Sequence, residues 1–236
     1  MAKDVIIACD FSSEEETLNF LNKLGSRRPF IKIGMELFYS AGPQMVRRIA
    51  EQGSKIFLDL KLHDIPNTVR KAMANLAGLG VHMCNVHAAG GIKMMQAARE
   101  GLLEGAARTG GAVPLLIAVT QLTSTSENML KNELLINCDM ETTVASYAQN
   151  AARCGLDGVV CSPLEARLVK EACGKDFLTV TPGIRFADGE KGDQVRVTTP
   201  QRAKEIGSDF IVVGRPITAA ENPAEAYFRC VKEFLE

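Results

Sequence analysis

Eight short runs rich in Val, Ile, Leu, Phe and Met recur along the chain, at 5–10, 30–33, 55–61, 83–87, 115–120, 158–161, 178–181 and 210–214. Most admit polar residues only toward their ends, and that is the pattern of strands covered on both faces rather than one. Between them the apolar spacing turns helical and is punctuated by start and stop signals. Ser13 is placed to cap a helix with Glu14, Glu15 and Glu16 in its first turn. Pro43 opens a segment that runs to Gln52 and stops at Gly53, and Pro66 opens one that runs to Leu79 and stops at Gly80. Further helices are predicted over 91–107, 141–154, 163–173, 200–206 and 223–235. About eight β–α units in series, with no Pro/Ser-rich linker, predict an α/β protein of (β/α)8 barrel type in which residues 1–236 are one domain. Two β-to-α connections are long: 121–140, with a short helix around 129–134, and 183–198, which holds Gly189 and Gly192. In a barrel such connections line the active face, and long ones often act as lids.

Composition narrows the choices. The chain has 236 residues, 46% of them hydrophobic and 23% charged, enough for one barrel with a full core. A net charge of −1 with well-mixed signs argues against a nucleic-acid or membrane-surface partner. The seven cysteines stand singly with no C-x-x-C pair, so neither a disulfide framework nor a zinc site is expected. The first apolar run is too short for a signal peptide or a membrane span, which makes the cytoplasm the expected location.

Chemistry concentrates at Phe57-Leu58-Asp59-Leu60-Lys61-Leu62-His63-Asp64-Ile65-Pro66-Asn67-Thr68. Side chains alternate along a strand, so Asp59 and Lys61 share a face while Leu58 and Leu60 take the other. Lys32 interrupts an apolar strand beside this one. Lys32, Asp59, Lys61 and Asp64 would then form an array of alternating charge at the strands' carboxyl ends. Burying such charges is unfavourable unless they pair or do chemistry. Asp10 ends the first strand at the same rim and suits ribose hydroxyls, although taken alone it reads equally well as a helix cap. His63, His82 and His87 are not at ligand spacing, and no metal is expected.

A second constellation suits a phosphate. Pro182-Gly183-Ile184-Arg185 follows the seventh strand and Gly214-Arg215 follows the eighth, where barrels commonly bind phosphate. The arginines offer forked, charged donors, Gly214 admits an anion close to the backbone, and Gln194 lies on the loop between them.

The D-x-K-x-x-D-I-P-x-T stretch, read as Asp59, Lys61, Asp64, Ile65, Pro66 and Thr68, resembles the signature of orotidine 5′-monophosphate decarboxylases. The resemblance extends to Asp10, Lys32, T-Q-L-T-S at 120–124, P-G-I-R at 182–185, Gln194 and Gly214-Arg215. It implies decarboxylation of orotidine 5′-monophosphate to uridine 5′-monophosphate without a cofactor, with Lys61 as proton donor and Thr123 against the pyrimidine. It also implies a homodimer in which Asp64 and Thr68 reach into the partner subunit's site. Two other readings use the same barrel. A metal-dependent sugar-phosphate decarboxylase or aldolase shares the D-x-K-x-x-D core but resembles this chain less, since such enzymes carry an acidic ligand where Lys32 stands. A non-catalytic phosphate-ligand binding protein would need only the arginine grip.

Overall fold

A computed structural model describes residues 3–188 and 197–236. Eight parallel strands close into a barrel in sequence order: β1 (Asp4–Ala8), β2 (Phe30–Gly34), β3 (Lys55–Leu62), β4 (Met83–His87), β5 (Leu115–Val119), β6 (Gly158–Val160), β7 (Leu178–Thr181) and β8 (Phe210–Val213). Helices lie between the strands, and this is a (β/α)8 barrel.

The alternation of each strand builds two cores. Val5, Ile7 and Cys9 of the first strand segment pack with the helices, while Ile6 and Ala8 face the barrel axis with Phe30, Phe57, Met83, Ile117, Phe210 and Val212. Phe30 and Phe210 meet edge to face, 6.0 Å apart, and fill the barrel's interior from below.

The barrel floor is pinned by a device that recurs every second strand. The residue just before β4, β6 and β8 accepts from the N–H of the second residue of the preceding strand: His82 Nδ1 from Ile56 (3.4 Å), Asp157 Oδ2 from Leu116 (2.7 Å) and Asp209 Oδ2 from Thr179 (2.8 Å). The two carboxylates are each held by a cation from the helix that follows the strand two before: Arg99 at 3.3 Å from Asp157 and Lys170 at 2.6 Å from Asp209. Fixing the floor by charge-assisted bonds leaves the opposite rim available for chemistry.

Helix boundaries follow the sequence signals closely. Ser13 Oγ accepts from Glu16 N at 3.2 Å, and Gly80 ends its segment in the left-handed conformation. One difference is instructive. The helix expected from Pro43 is preceded by another, and together they run over Met35–Glu51 with a break at Gly42, where φ is +72°. A left-handed residue followed by proline reads in sequence as a helix start, whereas here it is a kink between two helices. A short helix at Arg215–Thr218 also follows β8. The helix expected near 129–134 lies at Glu127–Asn132, capped by Ser126.

Candidate active site

A cavity of about 590 Å³ opens at the carboxyl ends of the strands. Its floor is apolar, with Ala8, Phe57, Val119, Val160 and Val212, and its rim is polar. Asp10, Lys32, Asp59, Lys61, Thr123, Pro182, Arg185, Gly214 and Arg215 all line it. Asp64, in the turn after β3, and Thr68, in the first turn of the helix Pro66–Leu76, do not, and both are exposed. The Asp64 carboxylate accepts the Ile65 N–H at 2.6 Å. Gln194, like Gly189 and Gly192, lies outside the described residues.

The charged residues form one chain of contacts. Lys32 Nζ stands 2.7 Å from Asp10 Oδ1 and 3.4 Å from Asp59 Oδ2, and Lys61 Nζ donates to Asp59 Oδ1 at 2.7 Å. Burial works against the charge on Asp59, but Lys32 and Lys61, with hydrogen bonds from Lys61 and Asn85, outweigh it and hold the carboxyl below its ordinary range. Burial likewise opposes the charge on Lys32, and Asp59 and Asp10 overcome it, raising this ammonium above its usual value. Asp59 and Lys32 therefore favour each other's charged forms. Gly34 provides the space, since a Cβ there would stand 3.0 Å from Asp10 Oδ1 and 3.1 Å from Lys32 Nζ.

The face-sharing expected of Asp59 and Lys61 is realised, but not on a regular strand. Pairing between β3 and β4 jumps from Leu58–Cys84 to Leu62–Val86, so β3 advances four residues while β4 advances two. The surplus arches at Asp59-Leu60-Lys61, and Lys61 takes φ +51°, a left-handed conformation that disfavours side chains by roughly 1–2 kcal/mol. Asn85, which the sequence reading passed over, sits under the arch. It is buried, donates from Nδ2 to Asp59 Oδ1 at 2.7 Å and accepts the Lys61 N–H on Oδ1 at 2.8 Å. The available signal was a lone polar residue inside the apolar run Met83–His87, the same signal that marked Lys32.

In a ring of eight sequential strands, β7 lies diametrically across from β3. There Gly183, at φ +83°, turns the chain after Pro182 and brings Arg185 to the cavity. The stem is tied by Arg185 N to Thr198 O at 2.9 Å and Thr198 N to Gly183 O at 3.0 Å. Burial and the nearby Arg215 depress the pKa of the Arg185 guanidinium. Two cations at one end of a cavity are a receptor for a multiply charged anion.

His63 and His87 stack with centroids 5.7 Å apart, outside the cavity lining, while His82 lies at the barrel floor. Among the described residues no group of three or more His, Cys, Asp or Glu side chains is arranged to hold a metal ion. No disulfide joins any of the described cysteines, and no described helix is long and apolar enough to cross a membrane.

The family described as orotidine 5′-phosphate decarboxylase / HUMPS matches residues 3–230. A protein of Enterococcus faecalis named orotidine 5′-phosphate decarboxylase is 59% identical over 232 residues, 98% of each chain. One from a Geobacillus species with the same name is 58% identical over 229 residues, covering 97% of this chain and 95% of its own. The crystal structure of orotidine 5′-phosphate decarboxylase from Lactobacillus acidophilus superposes with a TM-score of 0.90 at 48% identity, covering 99% of this chain and all of the other. These relatives carry only the first of the two names joined in the family description.

Proposed function

Because the chain belongs to the orotidine 5′-phosphate decarboxylase / HUMPS family, we propose that it converts orotidine 5′-monophosphate to uridine 5′-monophosphate, the last step of UMP synthesis, with Lys61 as the acid. The observation that carries this reading is the Asp10–Lys32–Asp59–Lys61 array facing an arginine pair across one cavity. Arg185, Arg215 and the backbone at Gly214 grip the phosphate, Asp10 and Lys32 serve the ribose, and Thr123 and Pro182 flank the base. Gln194 is a further phosphate contact in this reading.

When the bond from C6 to the carboxyl carbon breaks, its electron pair stays on C6 in the plane of the ring, where the π-system does not delocalise it. The Lys61 ammonium stabilises that charge as it develops and then transfers one proton to C6. Asp59 holds both lysines and stands where the substrate carboxylate enters. Two like charges about 4 Å apart repel by roughly 4 kcal/mol at an effective dielectric near 20, and this repulsion speeds the reaction only so far as CO₂ loss relieves it.

The reading extends to a cytoplasmic homodimer. Asp64 and Thr68 are exposed and absent from the lining of their own cavity, which fits residues that serve a partner's site, and cysteines without disulfides suit a reducing compartment.

The phosphate grip gives the test. Two charge-assisted contacts at about 1.5–3 kcal/mol each predict that orotidine, lacking the phosphate, has a kcat/KM lower by roughly two to four orders of magnitude. Arg215→Ala is expected to lower kcat/KM for the monophosphate about 10- to 200-fold and to change that for orotidine far less. Equal kcat/KM for the two substrates in the wild-type protein would remove the basis of the assignment.

A further inference from the structure

We infer that Asn85 is a positioning residue for Lys61: its side-chain amide ties the Asp59 carboxylate to the Lys61 backbone N–H and so fixes the ammonium over the reacting carbon. The inference rests on Lys61 being the acid.

The amide stands on β4 between Cys84 and Val86, where pairing with β3 is interrupted. Between Leu58 and Leu62 the β3–β4 ladder is interrupted, and the arch carries both Asp59 and Lys61. A bulged residue is normally left without its ladder bond. Here the Lys61 N–H is instead taken by Asn85 Oδ1 at 2.8 Å, while Asn85 Nδ2 donates to Asp59 Oδ1 at 2.7 Å. The orientation of the amide is unambiguous, because the carboxylate only accepts and the backbone N–H only donates. Lys61 Nζ reaches that same Asp59 oxygen at 2.7 Å. Backbone, carboxylate, amide and ammonium therefore close a ring around the left-handed Lys61, in which Asn85 binds the lysine's backbone directly and its ammonium through Asp59. Asn85 does not line the cavity, so it acts through Lys61 and Asp59 rather than on the substrate.

Removing the amide leaves Lys61 with a side chain but without a fixed origin. Asn85→Ala is expected to lower kcat about tenfold to a hundredfold, the loss that goes with a misplacement of roughly 1 Å, while KM and the Kd of UMP change less than about threefold.

Asn85→Asp separates positioning from mere filling of space. It keeps an acceptor for the Lys61 N–H but sets a second carboxylate against Asp59. Such a pair restores the original bond only by taking up a proton, and repulsion raises the pH at which it does so. The charged groups around it are Asp59 and Lys61 on β3, Lys32 beyond Asp59 on β2, and His87 two residues along β4; Ile117 and Val119 on the β5 side carry none. Burial, His63 and Lys61 hold the His87 pKa below its ordinary 6.5, a contribution common to wild type and variant.

The experiment measures kcat at saturating orotidine 5′-monophosphate from pH 5 to 9 for wild type, Asn85→Ala, Asn85→Asp and Lys61→Ala, with UMP affinity for each. The expected result is an Asn85→Asp kcat that rises toward wild type as pH falls, against a wild-type kcat that does not. An Asn85→Ala kcat within about twofold of wild type overturns the inference, since the misplacement it predicts costs far more. An Asn85→Asp profile of wild-type shape overturns it equally, and does so even if the Ala variant fails to fold. Should Lys61→Ala keep its kcat, the assignment of the acid falls instead.

Discussion

Lys61→Ala is expected to lower kcat by about five orders of magnitude while circular dichroism stays that of the wild type. Loss of a positioned general acid costs roughly 10²- to 10⁴-fold. Loss of the charge aimed at the developing carbanion costs a further 10²- to 10³-fold or so. The fold has reason to persist, because Asp59 keeps Lys32 at 3.4 Å and Asn85 at 2.7 Å after the ammonium is gone. Lys61→Arg should fail as well. The guanidinium is planar, too large for the ring of contacts around Asp59, and scarcely gives up its proton. A Lys61→Ala kcat within about tenfold of wild type would mean that another group delivers the proton, since a positioned acid is worth more than that.

The second large effect is a recovery. Lys61→Ala and Asp64→Ala proteins, each nearly inactive alone, are expected to regain activity when their subunits exchange. Asp64 follows Lys61 by three residues but is exposed and absent from the lining of its own cavity. In a two-fold dimer each subunit presents the same surface to the other, so a residue given across the interface is also received across it. In a mixed dimer one site collects both lesions and the other combines intact Lys61 with intact Asp64. Random exchange makes half the dimers mixed, so about a quarter of all sites recover. Steady-state rates with mass spectrometry of the exchanged dimers provide the check. Proven exchange with no recovery would show that Asp64 serves its own subunit, or serves no site.

Much of this architecture was legible because parallel strands buried on both faces leave a strong mark. The runs at 83–87 and 178–181 match their strands residue for residue, and Pro66 and Gly80 bracket their helical segment as expected. The charged array was legible for the complementary reason, that Lys32 and Asp59 are anomalies in apolar runs. What escaped the sequence was irregular backbone. Nothing in Asp59-Leu60-Lys61 announces a bulge, since its alternation is that of a regular strand, and only the shifted pairing with β4 reveals why Asn85 is polar. Gly42-Pro43 misled for a related reason, because one dipeptide suits a kink as well as a start. The roles of Asp64 and Thr68 came from resemblance alone, and the exposure of these residues is the physical feature that agrees with it.

The central claim is that this chain removes CO₂ from orotidine 5′-monophosphate with its own side chains. Both Asp59 oxygens are already engaged, Oδ1 by Lys61 and Asn85 and Oδ2 by Lys32, which leaves this carboxylate a poor metal ligand. The direct measurement follows the ultraviolet absorbance of orotidine 5′-monophosphate with protein treated exhaustively with EDTA and assayed in metal-free buffer. The account predicts conversion to UMP at the untreated rate. It is contradicted if the substrate is not consumed, or if EDTA abolishes turnover and Mg²⁺ restores it.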